Sequence, residues 1–247
     1  MQQEGIHPDG ITFVSALKAC GSTRAIETGI HLHGEIARKG LLTADIIVGN
    51  ALVDMYIKCG LPLEARRILD MLPSRDVVSW TSLILVYSQC GHAEEAIRCF
   101  DQMQSEGISL NSITFVAIVK AYANVKPTEK IREVHYLAET NGVLAKSVMV
   151  GNTLIDTYAK LGWLTAAQEV FDQLSTQDTV SWNSLLAGYL EHDHGEEVLM
   201  YFEKMQDEHV SPDAVTFVCS LKACGSTGAI EKGQEIHAEV ERKGLLE

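Results

Sequence analysis

The chain has 247 residues, with 33 Asp and Glu against 20 Lys and Arg, and a formal net charge of −13. Taken alone, that balance argues against a nucleic-acid binder, although a molecule with two faces can keep its charges apart. Hydrophobic residues make up 46% and prolines number only 5, a composition that suggests a folded chain without a long linker or disordered tail. No run of about 18 apolar residues is present to span a membrane.

Taken in order, the chain shows one helical pattern after another. Near residue 10, Phe13 and Leu17 open a pair of apolar faces that continues with Ile26, Ile30 and Ile36. A second pair begins near 46, with Leu52, Val53 and Tyr56, then Ala65, Ile68 and Leu69. A third occupies 77–111: Trp80, Leu83, Ile84 and Tyr87 fall on one helix face, and Ala93, Ala96, Ile97, Phe100 and Met103 on the next. Gly91 separates those two helices and Gly107 ends the second, both at places suited to a left-handed residue.

The pattern then starts again. Phe13, Phe115 and Phe217 lie 102 residues apart, as do Trp80 and Trp182, and the pairs Gly49-Asn50 and Gly151-Asn152. In the second copy Asp193 stands where Gly91 stood, and the hairpin between them carries Asn124 in its loop; Asp and Asn tolerate the left-handed conformation best among non-glycine residues. Dividing at matching positions gives 10–45, 46–76, 77–111, 112–147, 148–178, 179–213 and a partial unit 214–247, with lengths cycling 36, 31 and 35. Residues 1–9 match the end of such a unit, so the chain is expected to begin and end inside repeats, as a slice of a longer protein. A long fixed period means stacked units, because a single hairpin cannot bury both of its apolar faces. The expected fold is all-α: an α-solenoid of stacked helix-turn-helix repeats forming a superhelix. Helix pairs are expected to start near 12, 49, 79, 114, 151, 181 and 216.

Chemistry is sparse. Six cysteines form no CxxC pair, and Cys20 and Cys224 share one repeat position, as small buried packing residues would. That usage fits a reducing compartment. His31 with His33, and His237 with Glu239, look like metal fragments, but His237 shares the repeat position of His33 and no PCxxC follows. There is no Walker loop, GxSxG or GxGxxG. The expectation is a non-enzyme with neither metal nor cofactor.

The 36/31/35 cycle, Val78-Ser79-Trp80 and its copy Val180-Ser181-Trp182, the run Gly49 to Tyr56, and Lys18-Ala19-Cys20-Gly21-Ser22 with its copy at 222–226 closely resemble the plant pentatricopeptide repeat proteins. More narrowly they resemble the subfamily built from P, L and S repeats. The resemblance covers essentially the whole chain. It makes 10–45, 112–147 and 214–247 L-type, 46–76 and 148–178 S-type, and 77–111 and 179–213 P-type. It implies single-stranded RNA binding, one base per repeat, read by the fifth and last residues of each unit. These are Asn50 with Asp76, Thr81 with Asn111, Asn152 with Asp178, and Asn183 with Asp213. The L units offer Val14 with Asp45, Val116 with Ser147, and Val218, and valine cannot hydrogen-bond a base edge. The second residues, Ile47, Val78, Ile113, Met149, Val180 and Val215, are the base-packing candidates. By the family's pairing rules the expected RNA core is 5′-N-U-A-N-U-U-N-3′. The resemblance further implies a mitochondrial or chloroplast transcript, C-to-U editing or other processing, and editing cofactor proteins as partners.

Alternatives stand beside each reading. Asp76, Asp178 and Asp213 are also placed to cap helices, and the second residues also suit ordinary core. Lys18, Lys58, Lys120, Lys160 and Lys222 recur along first helices as phosphate candidates. Glu94, Glu95, Glu196 and Glu197 open second helices, where they suit the dipole, and are expected away from the lysines. The reading residues are expected partly exposed on one concave surface. The competing function is a protein-interaction solenoid of tetratricopeptide type.

Overall fold

Each first helix is set by the residue before it. Asp9, Asp45, Asp76, Asp178 and Asp213 are N-caps whose carboxylates accept backbone N–H groups of the first turn. Asn111 does the same for the Thr114 N–H at 2.9 Å, while Ser147 occupies the cap position without a side-chain bond. The first helices therefore begin at Gly10, Ile46, Val77, Ser112, Val148, Thr179 and Ala214. That is two or three residues before the apolar pattern places them, because the cap precedes the first buried side chain.

The computed structural model describes residues 8–125 and 128–245, and every element among them is helical. The chain divides into two units, 1–126 and 127–247. The first holds α1 (Gly10–Thr23), α2 (Ile26–Arg38), α3 (Leu41–Ala44), α4 (Ile46–Lys58), α5 (Pro62–Met71), α6 (Val77–Gln89), α7 (Ala93–Ser105) and α8 (Ser112–Val125). The second holds α9 (Thr128–Thr140), α10 (Val148–Lys160), α11 (Leu164–Gln173), α12 (Thr179–Glu191), α13 (Gly195–Asp207), α14 (Ala214–Thr227) and α15 (Ile230–Arg242). In the first unit α1, α4, α6 and α8 pack in sequence as one layer; in the second, α10, α12 and α14 do so. The hairpins that lie wholly within one unit each pack their second helix against their first. The repeat of residues 1–9 falls largely outside the described residues.

The core follows the predicted faces. Phe13, Leu17, Leu52, Trp80, Leu83, Ile84, Phe115 and Trp182 are all at most 1% exposed. Ile30 departs from expectation at 54% exposed. The buried residues of α2 are the expected Ile36 and, in place of Ile30, Gly29; a Cβ on Gly29 would lie 2.6 Å from Met55 Sδ of α4. The Gly49-Asn50 pair has a similar origin. A Cβ on Gly49 would lie 2.4 Å from Leu72, and one on Gly151 2.3 Å from Leu174. Glycine lets the end of each second helix close over the first helix, just before the asparagine. The extra length of the 10–45 unit goes into α3, an additional turn that buries Leu42.

Gly91 and Asp193 both adopt left-handed φ, 78° and 62°. Asn124 does not: α8 runs through it to Val125. The chain turns left-handed instead at Arg24, φ 54°, where the copy 204 residues on is Gly228, φ 73°. His209, φ 59°, likewise stands where the first copy has Gly107, φ 69°. A Cβ in this region costs about 1–2 kcal/mol. His209→Gly is therefore expected to stabilise the protein by about 1 kcal/mol, since the glycine's extra unfolded-state freedom offsets part of the relief. Urea unfolding checks the sign; a loss of stability would contradict it.

Candidate nucleic-acid interface

Folding brings the fifth and last residues of the 46–76, 77–111, 148–178 and 179–213 repeats together. Asn50 Nδ2 donates to Asp76 Oδ2 at 2.9 Å, Asn152 Nδ2 to Asp178 Oδ1 at 3.0 Å, and Asn183 Nδ2 to Asp213 Oδ1 at 2.9 Å. Asn111 Nδ2 donates to Thr81 Oγ1 at 3.3 Å. Capping and pairing thus coexist in one side chain. Burial alone would raise the Asp178 carboxyl, but the Ser181 amide, Asn152 and the Ser181 hydroxyl outweigh it and hold its pKa below the ordinary value. For Asp213 the same opposition, against Thr216 and Asn183, also ends in a lowered pKa. These carboxylates are therefore ionised acceptors at neutral pH.

Three of the fifth residues, Asn50, Asn152 and Asn183, are partly exposed. Thr81 is not: it is 5% exposed, because its hydroxyl lies 2.8 Å from the Thr114 hydroxyl inside the layer. At the 77–111 unit the accessible polar edge belongs to Asn111. Among the L positions, Val218 is exposed, Val14 is partly so, and Val116 is buried.

The six second residues are all on the surface, from 46% exposed at Ile113 to 65% at Ile47 and Val78. Core packing does not explain apolar side chains held in water at every repeat. Ile11, a seventh in the same position, is 77% exposed; the 102-residue period would have found it. In the first unit Ile47, Asn50 and Val78 line one groove of 230 Å³, with Val14, Lys18 and Asp54. A larger open depression of 650 Å³ borders the same three first helices and is lined by Arg24, Asp54, Lys58, Ser82 and Gln89.

The lysines divide into two kinds. Lys58 pairs with Asp54 at 2.7 Å and Lys160 with Asp156 at 2.8 Å, four residues apart on their helices. Among the described residues Lys18, Lys120 and Lys222 make no ion pair within 4.0 Å. Arg24 and the two aspartates were not among the sequence candidates; the four-residue spacing of Asp and Lys was the available signal. Glu94 and Glu95 lie in the first turn of α7, and Glu196 and Glu197 in the first turn of α13, all on second helices. His33 Nδ1 lies 2.9 Å from the Tyr56 hydroxyl, and His135 repeats the contact with Tyr158 at 3.1 Å.

Against known proteins, the PPR repeat family model matches 75–124 and 177–226, and the PPR repeat model matches 50–77 and 152–177. Together they cover more than half of the chain. The chain belongs to the pentatricopeptide repeat family. It is 35% identical to the Arabidopsis thaliana pentatricopeptide repeat-containing protein At4g25270, chloroplastic, over 96% of this chain and 43% of that protein. It is 33% identical to At3g57430, chloroplastic, over 99% and 29%, and 32% identical to the putative At3g11460, mitochondrial, over 100% and 39%, both also from Arabidopsis. The chain thus spans less than half the length of each of these relatives. Among solved structures, the pentatricopeptide repeat protein PPR10 in complex with an 18-nt psaJ RNA element matches with TM-score 0.67 at 18% identity, over 98% of this chain and 37% of that one. PPR10 from maize matches with TM-score 0.58 at 20% identity, over 99% and 41%. These likenesses establish the helical-repeat fold.

Proposed function

We propose that this chain is a sequence-specific reader of single-stranded RNA, organised as P, L and S repeats, with one base per P or S repeat. One observation carries the reading. Ile47 and Val78 stand exposed on either side of Asn50, in a single groove, with Asp76 bonded to Asn50. Two aliphatic faces suit a flat base, and an amide with a free N–H and a free lone pair suits its edge. The same residue types recur at Met149, Asn152, Asp178 and Val180 in the second unit. The proposed core is 5′-N-U-A-N-U-U-N-3′, in an organellar transcript directed to C-to-U editing or other processing. Relatives named chloroplastic and mitochondrial support that address.

The test is a gel-shift titration of this RNA against a scrambled one at two salt concentrations. The expected result is tighter binding of the core sequence, weakening with salt by about 0.7 log units per log unit for each phosphate neutralised. Lys18, Lys120 and Lys222, which make no ion pair among the described residues, are expected to account for most of that slope. Binding that ignores both sequence and salt would point to a protein partner instead.

A further inference from the structure

We infer that the hydroxyl at the third position of each following repeat — Ser79, Ser181 and Thr216 — locks the amide of the reading asparagine in the repeat before it, and so helps to set base specificity. This rests on the RNA-reading proposal above.

An asparagine amide has nearly the same shape in either orientation, so its partners decide which edge it shows. Asn50 Nδ2 donates to Asp76 Oδ2 at 2.9 Å, which fixes that end of the amide. That turns Asn50 Oδ1 toward Ser79 Oγ, 2.8 Å away. The same hydroxyl lies 2.8 Å from Asp76 Oδ1, which already accepts the Ser79 backbone N–H at 2.8 Å. The hydroxyl has one proton. Given to Asn50, it satisfies the amide oxygen; given to Asp76, it would leave the amide oxygen facing a lone pair.

The second unit repeats the arrangement twice. Ser181 Oγ donates to Asn152 Oδ1 at 2.6 Å, closer than its 2.9 Å to Asp178 Oδ1. Thr216 Oγ1 donates to Asn183 Oδ1 at 2.6 Å, against 3.0 Å to Asp213 Oδ1. In both, the hydroxyl oxygen also accepts the cap residue's own backbone N–H, at 3.2 and 3.1 Å, which leaves its proton to be donated. The capping boxes account for the bonds to Asp178 and Asp213, but capping a helix does not require the bonds from these hydroxyls to Asn152 and Asn183. The non-asparagine reader keeps the same member. Asn111 Nδ2 donates to Thr81 Oγ1, the Thr81 hydroxyl lies 2.8 Å from that of Thr114, and Thr114 Oγ1 donates back to Asn111 Oδ1 at 3.0 Å. A third-position hydroxyl closes the ring in all four P and S units, whichever residues read. In the three asparagine readers it leaves one N–H and one amide lone pair free, in fixed order.

The test removes the hydroxyl and reads base preference, by competition binding with all four bases at one position at a time. Ser181→Ala is expected to reduce the preference for uracil at the base of 148–178 by about threefold or more, out of a single-contact discrimination of about 5–150-fold. Preference at the base of 179–213 should hold. Thr216→Val, nearly the same shape, should do the reverse: lose preference at 179–213 and keep it at 148–178. Ser181→Thr and Thr216→Ser should keep both. A merely structural role would lower stability and weaken all four RNAs alike, leaving the preferences in place, and that outcome overturns the inference. So does unchanged preference in Ser181→Ala and Thr216→Val when the wild type prefers uracil. A wild type with no base preference removes the reading proposal itself, and this inference with it.

Discussion

Asn111→Asp is expected to move the preferred base of the 77–111 unit from adenine toward guanine. The family resemblance gives that pairing, and the geometry supplies a reason. Thr81 is buried, so Asn111 carries the accessible edge of this pair. The native amide donates to Thr81 Oγ1 and keeps one N–H free, which suits the ring-nitrogen acceptor of adenine. Aspartate has no N–H to give. It would take the Thr81 proton instead and present only acceptors, and guanine offers N–H donors on that edge. The helix start survives, since a carboxylate accepts the Thr114 N–H as well as an amide oxygen does. A good single-base contact is worth about 1–3 kcal/mol. Competition binding with the four bases at this position is the measurement, and the uracil preferences of 46–76, 148–178 and 179–213 should stay. A variant that still prefers adenine would sink the code, even with RNA binding intact.

Trp182→Ala is expected to cost about 3–5 kcal/mol of stability, more than any surface change discussed above. Trp182 is fully buried, with the Phe171 ring 4.7 Å away edge-on and Tyr201 at 6.3 Å. Its copy Trp80 is equally buried, but the two differ in one bond. Trp80 Nε1 donates to Glu106 Oε2 at 3.1 Å, and Glu106 in turn pairs with Arg75 at 2.7 Å. Trp182 Nε1 has no hydrogen-bond partner among the described residues. Trp80→Phe should therefore cost more than Trp182→Phe, since only the first loses a bond to a charged group, worth about 1.5–3 kcal/mol before relaxation. Urea unfolding of the two phenylalanine variants decides it. The reverse order would show that the indole nitrogen is irrelevant to the difference.

The sequence carried the helices, their buried faces and the 102-residue period without help. Those features are local: a stripe every three or four residues and a glycine or aspartate where the chain turns. Local signals also misled. Asn124 is a good left-handed residue that the helix runs through, and Arg24 a poor one that turns. Ile30 fits an apolar stripe yet faces water, because it is Gly29 that lies against Met55 of α4.

What only the tertiary structure decided was which atoms meet across repeats. Asn50 and Asp76 are 26 residues apart and Asn183 and Asp213 are 30, yet each pair shares a hydrogen bond. The second helix folds back, so the last residue of one unit caps the next first helix while lying beside the fifth residue. One carboxylate then both caps α6 and pairs with Asn50, so capping by Asp76 leaves room for the proposed reading role beside it. Whether Ile47 and Val78 were core or surface was equally open, since an apolar residue near a helix start fits either. They end exposed while Leu52, Leu83 and Ile84 of the same helices are fully buried, so the second position lies off the buried stripe. Periodicity fixes which face of a helix is apolar; only the packing of neighbouring helices fixes which of its remaining side chains keep water.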